Sequence, residues 1–200
     1  SRIEGKLDIH KSRTNNDLGQ GFYTGERYEQ AISFISGFEK SSVYIFDFKE
    51  EGLKGKKYNV NQEWMMTIAY YRGVLEEYEN HPIIKKLIEK SCDCDYIIAP
   101  IVDNRMFQII NSFIMGEITD EQCKHCLAAT NLGYQYVFKS DKAIKSLKML
   151  ERCYISEKEK EYAWFSYAAK IIRAGCNDQQ MSGYTVTQTH LAVSIPADTL

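Results

Sequence analysis

The chain of 200 residues is 44% hydrophobic and carries a formal net charge of −2. That size and apolar content suit one globular domain with a substantial core, and the near-neutral balance excludes a global attraction to nucleic acid. No apolar run approaches the ~20 residues of a membrane span and no signal peptide is visible, so a cytoplasmic location without membrane contact is expected.

The chain begins at Ser1 rather than methionine, and Ile3-Glu4-Gly5 resembles part of a protease-cleavage linker, so the natural start is expected to lie upstream. Asn16 and Asp17 favour a turn. The three glycines between Gly19 and Gly25 then surround the pair Phe22-Tyr23. Glycine allows φ > 0 or a close approach of the backbone, so the stretch reads as a loop entering a short strand that ends in a flat aromatic. Either a planar ligand or an ordinary turn with a core tyrosine fits that shape. Tyr28, Ala31, Ile32 and Ile35 recur at helical spacing over 26–36, and Gly37 closes that helix. The β-branched and aromatic run 42–48 predicts a strand. The charged segment 50–57 reads as a turn whose Lys54, Lys56 and Lys57 face solvent, and 58–60 as a short strand. Asn61 is placed to cap a strongly apolar helix over 63–75, rich in aromatics and suited to the core.

His81-Pro82 opens a further helix with Ile83, Ile84, Leu87 and Ile88 inward, and His81 reads as a surface residue. Residues 95–99 predict a buried strand ended by Pro100, followed by a helix over 105–115 capped by Asp103 and Asn104. Thr119 and Gln122 form a capping box, 134–139 a strand, and Ser140 opens the next helix. A last short strand is expected at 153–155. Ser156 with Glu159 launches a long helix to Ala174. Residues 1–175 are thus assigned to one domain. The remainder, 176–200, reads as a tail or an edge strand with no assigned role.

The six cysteines are too few and scattered for a disulfide scaffold in a chain of this length, and reduced thiols are the default. Cys92 and Cys94, with Cys123, His125 and Cys126, offer ligands to zinc. The capping box places Cys123 and Cys126 on a helix instead of a zinc knuckle, so no metal site is assigned.

Three stretches carry a resemblance. Asp17-Leu18-Gly19-Gln20-Gly21-Phe22-Tyr23-Thr24 resembles the Asp-Phe-Gly-x-Gly-Phe-Tyr signature of an uncharacterised bacterial family in the ADP-ribosyltransferase superfamily, with Leu18 in place of the usual Phe. Residues 96–105, Tyr-Ile-Ile-Ala-Pro-Ile-Val-Asp-Asn-Arg, and 135–143, Gln-Tyr-Val-Phe-Lys-Ser-Asp-Lys-Ala, resemble further segments of that family in the same order. The resemblance covers roughly residues 5–155. It implies an α+β fold with two small, roughly perpendicular sheets that form an NAD cleft flanked by helices. It also implies a mono-ADP-ribosyltransferase-like, glycosyltransferase-class activity that uses NAD as substrate.

Many superfamily members place a histidine, a tyrosine and a glutamate on three strands. By that pattern Tyr23 is expected to stack on nicotinamide, an interaction of ~0.5–1.5 kcal/mol, and Gln135 takes the glutamate's place. Glutamine carries no negative charge and is no general base, but it hydrogen-bonds a hydroxyl or an amide. Arg13, Gly21, Phe22 and His10 complete the expected cofactor-binding set. The family histidine sits in a Tyr-His-Gly-Ser motif, and Ser1 stands about where that serine falls, so His10 is a substitute candidate only. Arg13 reads equally as a partner of Asp17, and Arg105 as a phosphate contact or a surface residue. Toxin-type relatives imply a toxin-like enzyme with an unknown acceptor and an antitoxin protein as partner. The competing readings are a non-catalytic nucleotide- or partner-binding domain on the same fold, which Gln135 and the missing histidine favour, and a zinc-stabilised module.

Overall fold

Alternation of aromatic and aliphatic side chains along the strands decides how the layers stack. The computed structural model describes residues 6–35, 41–130, 132–173 and 190–194. Among them are the strands β1 (Phe22–Gly25), β2 (Ser42–Phe48), β3 (Gly55–Lys57), β4 (Tyr96–Pro100), β5 (Tyr134–Phe138), β6 (Leu147–Tyr154) and β7 (His190–Ser194). The helices are α1 (Tyr28–Ile35), α2 (Gln62–Tyr71), α3 (Pro82–Cys92), α4 (Asn104–Ile114), α5 (Asp120–Ala128), α6 (Asp141–Lys145) and α7 (Glu157–Arg173). The class is α+β, as expected.

The strands form one hydrogen-bonded ladder in the order β3-β4-β5-β1-β7-β2-β6. Only β3 and β4 run parallel; the other pairs are antiparallel. The link between its two parts is thin, because β7 meets β1 only at Gly25↔Ala192 while it pairs with β2 from Asp47 to Val43. Phe48 of β2 nevertheless packs edge-to-face on Tyr96 of β4, with ring centroids 5.0 Å apart, and on Phe138 of β5 at 4.9 Å. These strands are far apart in the ladder, so the sheet curls until β2 lies over β4, β5 and β1. The period-2 alternation puts Tyr44, Phe46 and Phe48 on one face of β2 and Tyr136 and Phe138 on the facing side of β5, filling the layer between them.

The outer face of β4-β5-β1 carries Ala99, Ile97, Val137 and Tyr23 and packs against α2, α4 and α5 through Trp64, Met65, Ile68, Met106, Ile110 and Leu127. Each such apolar side chain contributes ~1.5–3 kcal/mol on full burial. Leu18 is fully buried. On the other side, α1 and α7 cover Val43 of β2 with Ala31, Ile32, Ile35 and Ala163.

Local chemistry sets the helix ends. Asn61 accepts from the Trp64 N–H at 2.9 Å, Asp103 from Met106 at 2.7 Å, and Ser140 from Ala143 at 3.1 Å. Both capping boxes form, at Thr119 with Gln122 and at Ser156 with Glu159. His81 is exposed and caps α3 through Nδ1, at 3.3 Å from the Ile83 nitrogen.

Several expectations are corrected. The segment read as a charged turn contains β3, which pairs with β4, so the short strand lies three residues earlier than 58–60. Helix α2 stops at Tyr71, with Arg72 as its C-cap and Gly73 at φ 86°. Ile83 faces solvent instead of the core. β6 begins at Leu147, well before Cys153, because its register is set by β2 and its side chains are largely exposed. The C-terminal strand lies inside the ladder, not at its edge. Readings that involve residues 1–5, Gly37, Ala174 and 184–189 fall outside the described residues.

Candidate functional site

The glycine-rich loop is held from beneath. The Tyr23 hydroxyl donates to the Gly19 carbonyl at 2.6 Å and accepts from the Leu18 N–H at 3.1 Å. Burial raises the Tyr23 pKa, only partly opposed by the Leu18 hydrogen bond. Lys139 Nζ donates to the Leu18 carbonyl at 2.7 Å, and burial lowers its pKa. Gln20 Nε2 donates to the carbonyls of His10 and Ser12, and the Gly21 N–H donates to Ser12 Oγ at 2.9 Å. Two glycines are required by space. A Cβ on Gly19 (φ 78°) would come within 2.5 Å of the Tyr71 ring, and one on Gly21 within 2.7 Å of Val137 and 2.8 Å of the Phe138 carbonyl.

Strand register places Gly25 opposite Gln135 and Tyr23 opposite Val137. Tyr23 and Gln135 therefore share one face of adjacent strands, diagonal to one another, although 112 positions separate them in the chain. Tyr23 is half-buried there and Gln135 is buried. Phe22 points to the opposite face, into the aromatic layer, 6.1 Å from Phe46. His10 lies exposed in a 3-10 turn, with its backbone N–H on Asp8 and its carbonyl accepting from Gln20. Arg13 is exposed, and its carbonyl accepts from Asn16 Nδ2 at 2.8 Å. Arg105 is also exposed.

An ion pair between Asp17 of the first matched stretch and Arg72, which lies outside all three, joins the first stretch to the second. Arg72 meets Asp17 Oδ1 through Nη2 at 2.6 Å and Nε at 2.7 Å, and each side chain is less than a fifth exposed. Arg72 Nη2 also donates to the Val102 carbonyl at 3.3 Å, Nη1 lies 3.5 Å from Asn104 Oδ1, and the guanidinium stacks 4.4 Å from the Phe107 ring centroid. Gln135 Nε2 donates to the Pro100 carbonyl at 3.3 Å. Burial raises the Asp17 pKa, and Arg72 opposes that shift by charge and hydrogen bonding. Asp17 thus pairs with Arg72, which corrects the alternative in which Arg13 braces it. Sequence reasoning missed Arg72. The available signal was a lone cation at the end of the apolar run 64–71, which needs a counter-charge when it is drawn into the core.

The described cysteines differ in exposure. Cys123 is buried against Met65, Cys126 is exposed on α5, and Cys94 donates to the Ser91 carbonyl. Among the described residues no three His, Cys, Asp or Glu side chains gather as a metal site. No helix among them is long and apolar enough to cross a membrane.

The curled sheet, the Asp17–Arg72 pair and the Gln135–Pro100 contact define an α+β domain with polar contacts built at the helix-covered end of β5 and β4. Residues 2–149 match the family described as "Protein of unknown function (DUF3990)", and the chain belongs to that family. No curated protein and no solved structure matches the chain.

Proposed function

We propose that the chain binds NAD as a substrate at the Tyr23–Gln135 face and acts as a mono-ADP-ribosyltransferase-like enzyme on an acceptor yet to be identified. The observation that supports this reading best is the shared face of Tyr23 and Gln135 on β1 and β5, with Pro100 of the middle stretch in contact with Gln135. The contact between β2 and the β4-β5-β1 layer favours the two-sheet arrangement that the resemblance implies.

In this reading the half-buried Tyr23 ring provides a flat apolar surface for nicotinamide, and the Gln135 carboxamide hydrogen-bonds the nicotinamide ribose. Cleavage of the nicotinamide–ribose bond develops positive charge on the sugar. Gln135 is neutral, so its contribution is to position the ribose, an effect worth up to ~100-fold in rate when geometry is lost. A toxin-type role, with an antitoxin protein as partner, belongs to this same proposal.

A second reading, a non-catalytic nucleotide- or partner-binding domain, is favoured by one specific feature. Asp17, the carboxylate of the first matched stretch, is already paired with Arg72. Incubation with nicotinamide-labelled NAD separates the two. Release of free nicotinamide supports the enzyme; saturable NAD binding without release supports the binding domain; absence of both counts against NAD as ligand.

A further inference from the structure

We infer that Lys139 is the anion-binding group of the Tyr23–Gln135 face and receives the diphosphate of the bound nucleotide. This deepens the NAD reading above and rests on it for the identity of the ligand. The register Phe22↔Phe138 and Tyr23↔Val137, continued by one position, sets Lys139 opposite Gly21. The Lys139 N–H donates to the Asp95 carbonyl at 2.8 Å, so the ladder runs on through this residue. By strand alternation Gln135, Val137 and Lys139 then share one face of β5 and its extension. Tyr23 stands opposite Val137, the middle of the three. A ligand stacked on Tyr23 therefore meets Gln135 on one side and Lys139 on the other. Leu18 ties the two side chains together directly: its N–H donates to the Tyr23 hydroxyl at 3.1 Å, and its carbonyl accepts from Lys139 Nζ at 2.7 Å.

That bond uses one of the three ammonium hydrogens. On another side the Tyr71 ring centroid lies 5.4 Å from Nζ. The Tyr71 hydroxyl is engaged by Ser91 Oγ at 2.7 Å, and burial raises its pKa, so Tyr71 offers a neutral π-face and no counter-charge. Among the described residues no carboxylate pairs with Lys139. Asp17, next to Leu18 in the chain, is committed to Arg72. Lys139 is only partly exposed, and an ammonium drawn from water without a counter-charge is costly. Burial lowers its pKa, the direction that this cost dictates. An anion on the open hydrogens supplies the missing charge. Of the parts of a nicotinamide dinucleotide, the diphosphate is the one that carries it.

Calorimetry with inorganic pyrophosphate, NAD and nicotinamide riboside, which has no phosphate, tests this on the wild type, Lys139→Gln and Lys139→Arg. Glutamine offers an N–H donor to the Leu18 carbonyl without the charge, whereas arginine keeps the charge. The wild type is expected to bind pyrophosphate and NAD. Lys139→Gln is expected to lose about 10–100-fold in affinity for both, the range of a hydrogen bond to a charged group, with nicotinamide riboside unaffected; Lys139→Arg is expected to keep most of the affinity. No pyrophosphate binding by the wild type overturns the inference, as does equal affinity of the wild type and Lys139→Gln. A loss shared equally by all three ligands, or full rescue by glutamine and not by arginine, reduces Lys139 to a brace for the loop and overturns it too. Pyrophosphate binding that depends on Lys139, in a wild type that does not bind NAD, supports the anion site and removes the nucleotide reading. Should Lys139→Gln not fold, acylation of the wild-type lysines read by mass spectrometry decides: pyrophosphate is expected to protect Lys139 and not the exposed Lys148, and equal labelling of Lys139 with and without pyrophosphate overturns the inference.

Discussion

At the scale of single residues, steric and hydrogen-bonding demands explain the glycine-rich stretch more fully than ligand contact does. Gly21 lies against β5 so closely that a methyl group would meet both a side chain and a backbone carbonyl. The carbonyl cannot rotate away, so Gly21→Ala should destabilise the domain by about 1–3 kcal/mol, read as a lower urea midpoint with an unchanged slope. An unaltered midpoint would show that the loop relaxes freely from the strand. Asp95 is a second test. Its carboxylate accepts from the Lys54 N–H at 2.8 Å and from Ser140 Oγ at 2.6 Å, and these bonds, Lys54 first, hold its pKa below the ordinary value. A depressed carboxylate contributes stability that is present above the unfolded pKa, near pH 4, and is lost as the pH falls through the lower folded value. Asp95→Asn should thus lower stability at pH 7 by about 1 kcal/mol after solvent screening. The difference should shrink below about pH 4; a gap that stays constant to pH 2.5 contradicts the assignment.

At the scale of elements, the legible parts of the sequence were those whose own chemistry dictates their form. The run 42–48 alternates and becomes β2, and Asn61, Thr119, Ser140 and Ser156 start helices because each offers a side-chain acceptor to an otherwise unpaired N–H. Asn61→Ala removes the acceptor for Trp64, whose side chain is fully buried, and should lower stability by about 1 kcal/mol. Asn61→Asp, which keeps the acceptor, should be close to neutral in the same melts; equal losses in both variants would mean that the cap is not what matters there. Elements defined by partners stayed hidden. Gly55–Lys57 has no strand pattern and is a strand only because β4 offers it a ladder. Leu147–Tyr154 lies at the edge of the ladder with exposed side chains, so no burial pattern marks it. Arg72 was hidden for the same reason: its partners Asp17 and Val102 are 55 and 30 positions away.

At the scale of the whole molecule, two devices hold the layers together. One is the aromatic contact of Phe48 with Tyr96 and Phe138; the other is β7, which bridges β1 and β2. Ala192 faces Gly25 on one side and Ile45 on the other. Proline removes an N–H and is confined to edges and bulges in sheets. Ala192→Pro should therefore destabilise by roughly 3 kcal/mol or more; wild-type stability in that variant would mean that β7 is not an interior strand.

The site was readable in part. The three resembling stretches meet in space through the β1–β5 and β4–β5 pairing and the Gln135–Pro100 contact, and Arg72, which lies outside all three, adds contacts to Asp17, Val102 and Asn104. Of the expected contacts, Tyr23 and Gln135 share a face, while Phe22 turns to the other side and His10 and Arg13 lie exposed.

The central claim is that NAD binds at that shared face, and the most direct measurement is the melting temperature of the wild type and of Gln135→Ala across an NAD titration. A ligand that binds only the native state stabilises it by about 2.7 kcal/mol at a hundredfold excess over its Kd. The account predicts a saturable rise for the wild type, and for Gln135→Ala a folded protein whose rise is displaced to higher NAD concentration. No rise in the wild type, or an identical titration in the variant, would contradict it.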